Sequence, residues 1–344
     1  MKYGGKLMYP IIDLHEDVST YFLTFGGGQP LADFGVDVIG RDADIPKYVR
    51  GNVRIVFSSV FPGTHTFDVK QLKQKEKDKW LPGVIMRYPQ LQLFEHIKIY
   101  YSLSEAYNIR IIESIKDADE IIESSDYSLG FLIHVEGADA IDDPYDLVIL
   151  KKLGVRSLGL TWNYNNKWAS SCFSSKDYGL TPEGEELVKY ANKLGIVVDL
   201  AHASKKTVID VLQVSKKPVM ISHANVKSVH DHKRNVDDEI LELLSLNKGV
   251  IGLSIVSSFI SPKKRSSLND LINHFMCVYE RFGPNILAIG SDFHGLLGLP
   301  SVEGLESIDK IQSLLEILRS KGLSESDIRK IAYENALRLM REVF

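Results

Sequence analysis

"TPEGEELVKYANKLGIVVDLAH", residues 181–202, is where the fold becomes readable. Thr181 followed by Pro182 marks a helix start, because proline lacks an N–H that the first turn leaves unpaired anyway. An amphipathic stretch follows and ends at Gly195, a residue suited to stopping a helix. "GIVVDLAH" (195–202) comes next, nearly all apolar, as parallel strands are when both faces are buried. It finishes in a histidine.

Working outward, the same unit recurs. The other β-rich runs are "PIIDLH" (10–15), "NVRIVFSSV" (52–60), "SLGFLIHVEG" (128–137), "VRSLGLTWN" (155–163), "PVMISHAN" (218–225), "GVIGLSIV" (249–256) and "ILAIGSDF" (286–293). Amphipathic patterns such as "PYDLVILKKLG" and "DDEILELLSLNKG" lie between them, with Gly154 and Gly249 expected just past helix ends. Eight strands alternating with helices predict a (β/α)8 TIM barrel, with a doubly wound sheet as the alternative. No low-complexity linker or internal repeat interrupts the series, so residues 1–344 read as one barrel domain. The longest interruption, 61–127, holds the charged stretch "KQLKQKEKDK", read as a solvated helix face, and the helical run "YPQLQLFEHIKIYYSLSEAY". Ser324 and Asp327 form a capping-box pattern at the start of a final helix that closes the barrel.

Composition excludes several classes of partner. A hydrophobic share of 44%, a charged share of 25% and a net charge of -4 are ordinary for a soluble protein. They give no reason to expect nucleic acid or an anionic membrane. Cys172 and Cys277 make no disulfide framework and fit a reducing compartment. No apolar run is as long as a membrane span. "MKYGGKLMYP" has lysines but no apolar signal region, so a cytoplasmic location is expected.

Chemistry in such barrels sits at the C-terminal ends of the strands. Here those ends carry His15 and Asp17, Glu136, His202, His223 and Asp292. Side chains in a strand alternate, so His15 and Asp17 share a face and Glu16 points away. Taken singly, each histidine has the plainer reading of a buried ring satisfied by a carbonyl. Taken together, the set resists explanation as packing, because unpaired buried charges are costly. Imidazole with carboxylate suits zinc ahead of manganese, cobalt or iron. One catalytic zinc usually takes three protein ligands. Five candidates therefore point to two ions, with Glu136 bridging His15 and Asp17 on one side and His202 and His223 on the other. A hydroxide held between two metals is a hydrolytic nucleophile. Asp292 is then free to carry a proton.

The segments "DLHED", "VEG", "GVRSLGLTWN", "LTPEGEELVKYANKLGIVVDLAHAS", "PVMISHANVKSVHDHKRNVDDEIL" and "IGSDFHG" resemble, in this order, the membrane (renal) dipeptidase family of zinc peptidases. The resemblance implies a metal-dependent hydrolase barrel with two zinc ions, a dipeptide substrate and a homodimer. It implies one zinc site of His15, Asp17 and Glu136, and a second of Glu136, His202 and His223. It places the arginine that grips the substrate carboxylate at Arg234 and the proton-carrying aspartate at Asp292. Trp162 stands where active relatives have a histidine that contacts the reaction intermediate. "LSI" (253–255) replaces the usual "NFY", and His294 replaces the second aspartate of "GGDFDG". The signal peptide and lipid-anchor signal of animal members are not seen.

Weaker expectations attach to other residues. His134 reads as a core or supporting histidine, and Asp13 as a group that orients His15. His230 and His232 read either as solvated residues or as part of the substrate site, and "KKR" (263–265) as a solvated loop. The leading reading is a binuclear zinc dipeptidase. One alternative keeps the fold and acts on N-acyl amino acids, lactams or lactones; another is a metal-stabilised scaffold without catalysis.

Overall fold

In a computed structural model, residues 2–3, 6–23, 30–61 and 89–344 are described. The charged stretch 70–79 lies outside the described residues. Eight parallel strands form the central sheet: β1 (Ile11–Glu16), β2 (Val53–Val60), β3 (Gly130–Val135), β4 (Val155–Gly159), β5 (Val197–Asp199), β6 (Met220–Ala224), β7 (Val250–Leu253) and β8 (Leu287–Ile289). Their order is β2-β1-β8-β7-β6-β5-β4-β3. A continuous register from Ile55↔Gly130 to Val60↔Val135 joins β2 to β3 and closes the ring. The doubly wound alternative is thereby excluded. A two-residue strand, Arg110–Ile111, pairs with β3 outside the ring.

Local chemistry sets the helix ends. Pro182–Leu194 is capped by the Thr181 side chain, which accepts from the Gly184 N–H, and stops at Gly195 with φ 67°. Gly154 takes the same role with φ 89°. Gly249 also lies just past a helix end, after Asp238–Leu246, although there Lys248 is the residue that adopts the left-handed conformation, with φ 60°. Gly249 is glycine for another reason, because a Cβ would lie 2.6 Å from the Val219 carbonyl. Ser324 and Asp327 form the expected capping box. The final helix, Asn335–Val343, sends Leu337, Leu339, Met340 and Val343 into one cluster with Ile12, Ile55, Val197, Val250 and Ala288. It closes the N-terminal end of the barrel with apolar packing, and the opposite end is left for polar groups. In the 263–265 loop, Lys263 pairs with Asp270 and Arg265 with Glu306 at the exposed surface.

Several sequence-read strands are too long. β4, β5 and β8 stop at Gly159, Asp199 and Ile289. Trp162, His202 and Asp292 therefore sit three residues beyond the sheet, on backbone that leaves the strand. His202 (φ 64°) and Asp292 (φ 69°) are both left-handed. That conformation costs a non-glycine residue about 1–3 kcal/mol and persists where surrounding structure enforces it, characteristically at functional sites.

Candidate metal centre

β1 enters the site irregularly. Its register with β2 shifts between Asp13 and Glu16. Ile12 and Leu14 join the interior cluster, and His15 directly after Leu14 also reaches the interior, packing against His134 and His223. Glu16 turns outward as expected and accepts from the Tyr48 hydroxyl at 2.8 Å. Asp13 departs from expectation. Its Oδ1 accepts the backbone N–H groups of His15 (3.2 Å) and Ser291 (2.9 Å), so it braces the backbone of β1 and the β8 loop, and no hydrogen bond links it to the His15 ring. Backbone bonds from Asp17 to Phe293 and from Asp292 to His15 join the same two segments.

Six side chains meet at the open end. Glu136, the first residue after β3, lies at their centre. Its Oε1 is 3.7 Å from His15 Nε2, 3.1 Å from His202 Nε2 and 3.5 Å from His223 Nε2. Asp17 Oδ2 is 3.2 Å from His15 Nε2. Asp292 Oδ1 stands 4.0 Å from the same nitrogen, so it reaches the cluster edge and lies within range of a shared cation with His15 and Asp17. All six residues are at most 8% exposed.

The hydrogen bonds reveal what the cluster lacks. His202 Nδ1 lies 2.7 Å from Asn163 Oδ1, an acceptor, so Nδ1 carries the proton. Ser222 donates its hydroxyl to Asp199 at 2.5 Å and therefore accepts from His223 Nδ1 at 2.9 Å. Both Nε2 atoms are left as lone pairs. They sit 3.0 Å apart and face a carboxylate oxygen. Two imidazole lone pairs converging on one carboxyl oxygen fit a cation, and imidazole with carboxylate is a donor set suited to zinc.

Protonation follows the same pattern. Burial and the neighbouring Arg234 keep His202 neutral, and burial with the nearby His15 does the same for His223, both well below the usual imidazole range. Burial also depresses His15, but the Glu136 and Asp17 carboxylates outweigh it and carry His15 up to about 10. Burial raises Glu136 well above the carboxylate range and Asp292 to about 7. A bound dication reverses this balance by favouring ionised carboxylates and neutral rings.

Above the cluster is a pocket of about 240 Å³. Asp17, Glu136, His202 and Asp292 line its polar side, and Phe61, Trp162, Phe173, Phe259, Leu297 and Leu299 its apolar walls. Trp162 faces this space, with its ring 4.9 Å from Phe61 and 5.9 Å from His202. Arg234 is 4% exposed, donates from Nη2 to the His223 carbonyl at 2.8 Å, and lies over Phe259. His232 also lines the pocket and packs on Phe259 at 4.9 Å. His230 stacks behind it at 6.2 Å. His294 turns elsewhere: it lines a neighbouring pocket of about 520 Å³, and its backbone N–H donates to the Asp42 carboxylate at 2.8 Å. His134 is buried beside Ser157 and Asp199, below the ligand candidates.

Sequence reasoning missed Asn163, Asp199 and Ser222, which fix the imidazole protons. It also missed the apolar walls supplied by Phe61, Phe173 and Phe259. Asp199 was within reach, since a lone carboxylate inside "GIVVDLAH" has to find a partner in the interior.

The sequence matches the family described as membrane dipeptidase (peptidase family M19) over residues 7–344. It is 29% identical over 323 residues to dipeptidase tcpJ of Claviceps purpurea, covering 92% of this chain and 71% of that protein. It is 28% identical over 342 residues to an uncharacterized dipeptidase of Schizosaccharomyces pombe, covering 97% and 80%. In fold it resembles a metallopeptidase of Rhodobacter sphaeroides bound to a phosphinate mimic of L-Ala-D-Ala, with TM-score 0.83, 21% identity, and coverage of 98% of this chain and 100% of the other. Among the described residues no helix is long and apolar enough to cross a membrane. With the whole barrel and its polar rim included in the matched span, the chain belongs to the membrane dipeptidase family, peptidase family M19.

Proposed function

We propose that the chain is a binuclear zinc dipeptidase, built as one barrel domain over residues 1–344 and working in a reducing, cytoplasmic setting that suits its two free cysteines. The observation that carries the metal reading is the pair of unprotonated Nε2 atoms of His202 and His223, 3.0 Å apart and facing Glu136. In this reading His15, Asp17 and Glu136 hold one ion, and Glu136, His202 and His223 hold the other. When bound, the ions supply a hydroxide nucleophile at neutral pH and polarise the scissile carbonyl.

The chain's own residues do the rest. Arg234 binds the substrate's free carboxylate, for which a guanidinium is the natural fork. Phe259 beneath the guanidinium and the His223 carbonyl hold it in place. Asp292, buried at the cluster edge 4.0 Å from His15 Nε2, is placed to take up a proton and release it to the departing amine. Phe61, Trp162 and Phe173 exclude water and receive apolar side chains.

Protein purified without chelator and reloaded with zinc should bind about two ions per chain; saturation at one ends the binuclear reading. Free dipeptides should be cleaved and longer peptides spared. Arg234→Ala should raise KM for free dipeptides and leave C-terminally amidated ones little changed, whereas equal losses on both remove the carboxylate role. The apolar walls also support a second reading, hydrolysis of N-acyl amino acids, lactams or lactones. A substrate panel separates the two by which class has the higher kcat/KM.

A further inference from the structure

Asp199 ends β5 in the interior, 1% exposed, and none of the proposed ligands belongs to its strand. We infer that this carboxylate is a positioning residue that braces both halves of the metal centre from below. The inference rests on the metal reading of His15, Glu136 and His223.

Its two oxygens have separate partners. Oδ1 accepts the backbone N–H groups of Ala201 at 3.0 Å and Ser222 at 2.8 Å, tying the end of β5 to β6. Oδ2 accepts the Ser222 hydroxyl at 2.5 Å and faces His134 Nε2 at 3.3 Å. A serine hydroxyl has one proton to give. Because Ser222 gives it to Asp199, the oxygen can only accept from His223 Nδ1, 2.9 Å away. The carboxylate therefore dictates, through one hydroxyl, which ring nitrogen of His223 is protonated and leaves Nε2 as a lone pair aimed at Glu136. On the other side, His134 lies between Asp199, whose Oδ2 is 3.3 Å from its Nε2, and the Ser157 hydroxyl, 2.9 Å from its Nδ1. Its ring meets His15 edge-on, with centroids 5.5 Å apart at 77°. One buried anion thus orients a ligand on β6 through a hydroxyl and supports a ligand on β1 through a second ring. Partners of this kind fix a ligand's tautomer and orientation, and their loss typically costs about 10- to 100-fold in metal affinity.

The test uses the whole protein and begins without metal. In wild type, nitrogen-15 spectra of the imidazoles should show His223 in a single Nδ1–H form. Ser222→Ala removes the hydroxyl and keeps both backbone bonds to Asp199 Oδ1. It should mix the two His223 tautomers and weaken one zinc site about 10- to 100-fold in chelator competition, with the other site unchanged. Ser222→Thr retains a hydroxyl and should restore both properties. Asp199→Asn should weaken both zinc sites; its folding is checked by circular dichroism, and the two Ser222 variants decide the matter if it does not fold. Unchanged tautomer and unchanged zinc affinity in Ser222→Ala overturn the inference. A wild type that takes up no zinc overturns the metal reading instead, and the tautomer measurement on metal-free protein still decides what Ser222 and Asp199 do.

Discussion

Gly295 offers a test of how closely the site is built. A methyl group at this position would lie 2.1 Å from Asp17 Oδ2 and 2.6 Å from Asp292 Oδ1. An ordinary carbon–oxygen contact is longer by about 1 Å, so in Gly295→Ala both carboxylates must retreat by that order, since the interior is close-packed. Gly295 is not among the residues with positive φ, so alanine brings no backbone strain and the perturbation is steric. One carboxylate is a proposed zinc ligand and the other the proposed proton carrier. Misplacement of reacting groups by about 1 Å can cost on the order of 100-fold in rate. Gly295→Ala should therefore lose about 100-fold in kcat on a dipeptide and bind zinc more weakly, while melting within a few degrees of wild type. The assay is steady-state hydrolysis followed by amine release, run beside zinc titration and a thermal melt. Full activity with full zinc content would refute the reasoning, because Asp17 and Asp292 would then not need the positions they occupy.

Asp292→Asn should keep its zinc and lose about 100- to 10,000-fold in turnover, the usual worth of a general acid–base group. Loss of a metal with the activity would instead make Asp292 a ligand, as its 4.0 Å approach to His15 permits. Trp162→His should raise dipeptidase rates, because one oxyanion donor is commonly worth about 100- to 1,000-fold, and should weaken any preference for bulky apolar side chains; unchanged rates and preference reduce Trp162 to a packing residue. His274 accepts from the Val226 N–H at 3.0 Å and donates to the Ile260 carbonyl at 2.9 Å, and burial pushes it down to about 4. Its folded value lies below the unfolded one, so its contribution is complete above pH 6.5 and is lost as pH falls toward 4, on the order of 3 kcal/mol in all. Urea unfolding across that window should be less pH-dependent in His274→Phe than in wild type, and identical slopes would remove the assignment.

The barrel was legible because parallel strands buried on both faces leave an unmistakable apolar signature, and its rim because charged residues interrupt that signature at matching places. His15, Glu136, His202 and His223 could be picked out from this alone. Strand ends were less legible, since His202 and Asp292 leave the sheet through left-handed backbone, which only a small minority of non-glycine residues adopt. Asp13 was misjudged because strict alternation does not survive the register shift in β1. The pocket walls were hidden for a different reason. Phe61, Phe173 and Phe259 come from three segments far apart in sequence, and only the closed ring brings them to one space. Side-chain protons were the least legible of all, because the choice on His223 depends on a hydroxyl whose own proton goes to another strand.

Closure of the ring has a consequence for how the protein is made. β8 joins β1 through Ile289 opposite Asp13, and the barrel floor is sealed by residues beyond 335. A chain still emerging from the ribosome can present His15, Asp17 and Glu136 long before Asp292 exists to complete their surroundings. Contacts this distant in sequence form late, because chain entropy must be spent before they bring any return. Metal is therefore expected to enter a finished barrel, and a truncated nascent chain holding all five proposed ligands should still fail to retain zinc.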